Sequence, residues 1–158
     1  KKESRGSLIE TLITQIKNDL QERFKQDIFV NDKKVDDYKN ILIKGIYDEN
    51  PPVSYPMITI QEIDNSEAIE YSTANGEEVS SLSYQIDCYS RGTLDLQATE
   101  SSMLIGRTVN EVLGGNKYKM TRVSTPVLMP LIEDNSIIKY SIRYTCALFL
   151  NQNTIYKN

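Results

Sequence analysis

The sequence predicts an α+β fold: a mainly antiparallel sheet with a long β-hairpin and two helices packed on one face. Three observations predict it. An apolar stripe of helical period opens the chain, and a second occupies residues 94–113. Between and after them lie runs that alternate apolar and polar, one pair flanking Asn75-Gly76. The order helix, strand, hairpin, helix, two strands makes one α+β domain over residues 1–158, a length that buries a core without staples.

The first helix is read over about residues 8–26. Ser7 and Glu10 form a capping box, S-x-x-E. Leu8, Ile9, Leu12, Ile13, Ile16, Leu20 and Phe24 fall within an arc of roughly 160° at 100° per residue, with polar side chains on the rest of the wheel. Residues 28–52 read as an irregular insertion or connection. Asp32-Lys33-Lys34 and Asp36-Asp37 suggest an exposed loop, Ile41 to Tyr47 a short strand, and Asn50-Pro51-Pro52 a break.

Tyr55 to Ile60 is the next strand, with its proline at the start, where strands tolerate it. Asn75-Gly76 turns a hairpin between Ala68–Thr73 and Glu77–Tyr89, because both residues accept positive φ. On its return strand Leu82, Tyr84, Ile86 and Cys88 face one way and Ser81, Ser83, Gln85 and Asp87 the other, giving one core face and one that is wet or meets a partner. The second helix carries a stripe of Leu94, Ala98, Ile105, Val109, Val112 and Leu113, and Gly114-Gly115-Asn116 stops it. Lys117–Leu128 and Ile137–Leu150 are the closing strands, the last with Ile138, Tyr140, Ile142, Tyr144, Cys146 and Leu148 on one face.

Composition narrows function. The chain has a formal net charge of −4, so no basic field holds phosphates by counterion release. It contains no histidine, the commonest general base and metal ligand, and no Gly-rich phosphate loop. No apolar run reaches membrane-spanning length and no signal-peptide stretch opens the sequence, so a cytoplasmic origin is expected. Cys88 and Cys146 lie in strand-like apolar segments and are expected as buried thiols, with a disulfide as the alternative.

The strongest enzyme case is a metal-dependent nuclease built on Glu62, Asp64, Glu67, Glu70 and Asp87. The Asp-x-Lys it needs on an adjacent strand is missing, since Asp32/Lys34 and Asp37/Lys39 fall in the loop-like region. A solvated edge explains the acidic group better. Tyr84, Tyr140 and Tyr144 share a phase with aliphatic residues and read as core rather than as a stacking platform. Asp87 and Arg143 could pair across the sheet, a contact worth little if exposed. No enzyme, catalytic residue, cofactor or metal is therefore expected.

Two regions read as contact surfaces. Leu96 and Met103 lie off the main stripe of the second helix, with Leu104 at its flank, and are expected to be covered by a neighbouring subunit or by the 28–50 segment. The hairpin tip, with Ser72, Thr73, Asn75, Gly76, Glu77 and Glu78, is too polar for core and is expected to project onto an adjacent subunit or another partner.

Element order and several segments resemble the tail terminator (tail completion) proteins of long-tailed phages and phage-like tail particles. The resemblance runs over most of the chain: the amphipathic opening helix, Tyr55-Pro56-Met57-Ile58-Thr59-Ile60 after a proline-rich approach, and the strand Leu82 to Ser90. It continues through Arg91-Gly92 leading into the second helix and the closing Tyr140 to Thr145. The 28–50 stretch is longer than that family's usual connection. The resemblance implies a homo-oligomeric ring, hexameric by analogy, at the head-proximal end of a tail assembled in a bacterial cytoplasm. It implies contacts with the tail tube protein on one face and with a sheath, collar or head connector on the other. DNA would pass through the lumen without specific recognition, and no membrane is involved. A head–tail adaptor, a tube-like or baseplate protein, and a small cellular ligand-binding regulatory module are the alternative readings.

Overall fold

The computed structural model describes the backbone of residues 5–63, 70–72, 78–151 and 154–157, and the side chains of 12–63 and 82–146. Helix α1 (Arg5–Lys25) is followed by β1 (Ile28–Val30), β2 (Lys33–Val35), β3 (Leu42–Gly45), β4 (Met57–Ile63), β5 (Glu70–Ser72) and β6 (Glu78–Ser90). Helix α2 (Ala98–Leu113) precedes β7 (Thr121–Arg122), β8 (Val127–Pro130), β9 (Ile138–Asn151) and β10 (Thr154–Lys157). The architecture is α+β, with both helices on one face of a mostly antiparallel sheet. Among the described residues no helix is long and apolar enough to cross a membrane.

The main sheet runs β3-β4-β6-β9, with β7, β8 and β10 along the outer edge of β9 and β5 beside β6. Its centre is the long β6–β9 pair, in register from Glu78 opposite Leu150 to Ser90 opposite Ile138. The predicted alternation sets the core. Leu82, Tyr84, Ile86 and Cys88 of β6 and Ile142, Tyr144 and Cys146 of β9 are buried beneath the helices, joined by Ile58 and Ile60 of β4. From α1, Leu12, Ile16, Leu20 and Phe24 enter at four-residue spacing. Each such side chain contributes about 1.5–3 kcal/mol by leaving water. Both cysteines are free and buried, and burial pushes the Cys88 thiol well above its ordinary range.

Among the described residues the one parallel pairing is that of β3 with β4. Joining parallel neighbours requires a crossover, and residues 46–56 supply it, with cis peptide bonds at Asn50–Pro51 and Tyr55–Pro56. The β5–β6 pairing puts Ser72 opposite Glu78, as a hairpin requires; Thr73, Asn75, Gly76 and Glu77 lie outside the described residues.

Four expectations need correction. Residues 28–35 are not loop: β1 and β2 form an antiparallel ribbon whose turn residues, Asn31 and Asp32, have φ of 51° and 64°. The connection behind it is anchored, because Tyr38 is buried and its hydroxyl hydrogen-bonds Ser101 of α2 at 2.6 Å. Helix α2 starts at Ala98 rather than 94. The Thr93 hydroxyl accepts the N–H groups of Asp95 and Leu96, holding 94–96 in a turn and leaving Leu94 fully exposed instead of on the stripe. The 117–128 strand is two short pieces. Tyr118 turns into the core and donates to Asp19 of α1 at 2.5 Å, and the pairing slips between β7 and β8. Finally, Asp87 does not meet Arg143, whose Nε donates to Gln85 instead; Asp87 bonds Ser141 and Gln85.

Candidate assembly surface

The helix-free face of the sheet is the first place to seek chemistry. Lys44, Thr59, Asp87 and Ser141 form one row across four strands, and the first three are buried rather than wet. The 46–56 crossover shields them: Lys44 Nζ donates to the Pro51 carbonyl at 3.0 Å, and the Tyr55 ring packs 6.1 Å from Tyr89. Burial, relieved in part by a hydrogen bond from Thr59, pushes the Tyr89 hydroxyl up to about 12. The Asp87 carboxylate accepts from Ser141 and from Gln85 Nε2, so its lone pairs are turned toward fixed donors. This is a satisfied structural network.

Of the carboxylates proposed for a nuclease, Asp87 alone among the described side chains belongs to it. Glu62 stands on β4, Glu70 on β5, and Asp64 and Glu67 lie outside the described residues. Among the described residues, no three His, Cys, Asp or Glu side chains could hold a metal ion.

The surface is richer in apolar contacts. Leu96 and Met103, singled out in the sequence, are brought together with Val30 of β1 in a groove of about 510 Å³ on the outer flank of α2. Leu96 is half-buried and precedes the helix, while Met103 remains 44% exposed, so the ribbon flanks this groove without covering it. Leu104, expected at the flank, is core. Tyr140 and Ile142 form the floor because Gly106 lets the sheet approach the helix: a Cβ there would meet the Tyr140 ring at 2.4 Å. Two cations, Arg107 and Arg122, stand on the rim, neither in an ion pair among the described residues.

Beside this groove runs an edge that sequence reading missed. Val123, Val127, Leu128 and Met129 are 40–53% exposed, and Ile132 beyond them is fully exposed. From Arg122 opposite Tyr144 to Val127 opposite Ser141, five steps on one strand meet three on the other, so two extra residues bulge out. The ladder alternation is fixed by Leu131 N–H donating to the Ile137 carbonyl at 3.0 Å. Val127 and Met129 therefore point their N–H groups at β9, while positions 126, 128 and 130 point theirs outward. Two of those three are prolines, so Leu128 alone offers an outward donor. Strand addition is blocked, and a partner must dock through side chains. The signal was present in Pro126-Val127-Leu128-Met129-Pro130, an apolar run bracketed by prolines at alternate phase.

The turn beyond is pinned by the motif that follows β6. Arg91 Nη1 meets Asp134 at 2.7 Å and Ser136 at 3.1 Å, and its guanidinium lies 5.3 Å from the Tyr55 ring centre. Hydrogen bonds from the Ser136 hydroxyl, from Arg91 and from the Ser136 N–H hold Asp134 down to about 2. The apolar edge is thus presented on a fixed frame.

No protein-family model matches the chain, and no curated protein matches it.

Proposed function

We propose that this chain is a structural subunit that closes into a ring on the head-proximal end of a phage or phage-like tail, caps the tail tube and presents a different surface to a head or collar. The observation that carries the assembly reading is the β7–β8 edge, where Val127 and Met129 are half exposed on the helix-free side, Leu128 is exposed on the other, and Val123 and Ile132 flank them in water. Several exposed apolar side chains grouped along one ordered edge mark a protein contact. What directs that reading to a tail end is the resemblance in element order and segments described from the sequence.

The physical logic is that of length control. A growing tube presents the same unsatisfied interface at every step. Ending it needs a protein that matches that interface on one face and differs on the other. A cyclic ring does so with repeated weak contacts, each raising the effective concentration of the next. The anchored turn at Asp134 and the proline-blocked edge suit this role, because they support docking while preventing open-ended sheet growth.

Removing the gene tests it. Tails of irregular, excessive length, or tails that fail to join heads, are expected. Tails of normal length that still join heads would overturn the reading and favour an adaptor or baseplate part.

A further inference from the structure

We propose that the groove on α2 is a socket for the 46–54 loop of a second copy of this chain, so that neighbouring subunits meet head to tail. This rests on the assembly reading and specifies which two surfaces meet.

Three observations identify the occupant. The first is charge. The groove carries two cations, Arg107 and Arg122, against one carboxylate, Glu100, and neither arginine is in an ion pair among the described residues. The 46–54 loop carries Asp48 and Glu49, neither in an ion pair among the described residues, with Asp48 Oδ2 accepting the Gly45 N–H at 2.9 Å. The second is apolar complement. The loop holds Tyr47 at 84% and Val53 at 57% exposure, and the groove offers Leu96, Met103 and Tyr140. Aromatic anchors entering an apolar pocket with charges at the rim are the usual anatomy of a specific contact.

The third is placement. The groove lies beside β9 and β7, whereas the loop leaves β3 at the far edge of the same sheet. Four strand spacings, about 19 Å, separate the two edges. The loop also crosses the helix-free face, whereas the groove lies on the helix-bearing one, so groove and plug cannot satisfy each other within one subunit. They form a heterologous contact, which generates a ring when the rotation closes. The socket also uses the β1–β2 ribbon, whose Val30 forms one wall and whose Lys33 is tied to Asp95 before α2 at 3.2 Å. The long 28–50 region thereby gains a role.

Cross-linking of the full chain tests the contact. Cys88 and Cys146 are buried, so thiols introduced at exposed sites report alone. Val53→Cys and Met103→Cys chains are purified separately and mixed under mild oxidation. A cross-linked dimer is expected in the mixture and not in either chain alone. Adding Arg107→Glu to the Met103→Cys chain should cut the yield roughly tenfold, and adding Glu49→Lys to the Val53→Cys chain should restore it. A mixture that cross-links no better than its parts overturns the socket, as does Met103→Cys cross-linking equally well alone, which would mean groove against groove. A chain carrying both cysteines separates the two proposals. A series ending at a closed multiple supports both, and an endless series supports the socket while overturning the ring.

Discussion

Gly106 of α2 lies against the ring of Tyr140 on β9 so closely that a Cβ would stand 2.4 Å from two ring carbons. The helix offers no side chain at this point, so the Tyr140 ring packs directly on its backbone and becomes the groove floor. Gly106→Ala should therefore destabilise despite a helix-propensity gain of about 1 kcal/mol, because overpacking costs about 1–3 kcal/mol. Urea unfolding measures it. In a Tyr140→Ala background the same change should become neutral or stabilising, and equal destabilisation in both backgrounds would rule out the steric account.

Three buried hydroxyls form a chain: Tyr38 to Ser101 at 2.6 Å and Ser101 to Ser90 at 2.7 Å, with Ser90 Oγ also accepting the Gly92 N–H at 2.9 Å. It joins the segment before β3, helix α2 and the end of β6. Ser101→Ala strands the buried Tyr38 hydroxyl and takes one partner from Ser90 Oγ, and should cost about 1–3 kcal/mol. Tyr38→Phe with Ser101→Ala should cost less than the sum of the single changes, since the second removes a group already orphaned. Strict additivity in denaturant unfolding would show that the hydroxyls act separately.

What could be read from the sequence was local and periodic. Leu12, Ile16, Leu20 and Phe24 declare α1, and the alternation of β6 and β9 declares the core face. The β1–β2 ribbon was hidden because Asp32, Lys33 and Lys34 look like a solvated loop, although Asn31-Asp32 is a pair that tolerates positive φ. The start of α2 was misplaced because the Thr93 hydroxyl, which holds the preceding turn, outweighs the apolar character of Leu94. The groove was half legible. Leu96 and Met103 stood out as apolar residues off the stripe, but Val30, Arg122 and Tyr140 reach the same place from distant segments. Such convergence is set by strand order and leaves no mark on neighbouring residues in the sequence.

The Asp134 carboxyl is lowered from 3.8 to about 2, first by the Ser136 hydroxyl and then by Arg91. The folded pKa lies below the unfolded one, so this group stabilises the β8–β9 turn at pH above about 4. That contribution is lost as pH falls from there through about 2. Carboxyl NMR titration should place its midpoint near 2 in the folded chain, and Ser136→Ala should move it upward. A wild-type midpoint at 3.8 would show that the network does not hold in solution.

Val127 and Met129 point from β8 to the helix-free side, beside Ser141 and Lys139, and both are about half exposed. Because they stand in water in the isolated chain, Val127→Lys with Met129→Glu should change unfolding free energy by no more than about 0.5 kcal/mol each. Their effect should fall on association. If this edge contacts the tube or a neighbouring subunit, the double variant loses its apolar anchors and must desolvate two charges, so docking should weaken by at least about tenfold. Co-sedimentation with tail tubes and light scattering of the chain alone separate the two partners. A fold-neutral variant that binds tubes and associates like the wild type would remove the β7–β8 edge from the interface and leave its exposed residues without a role in assembly.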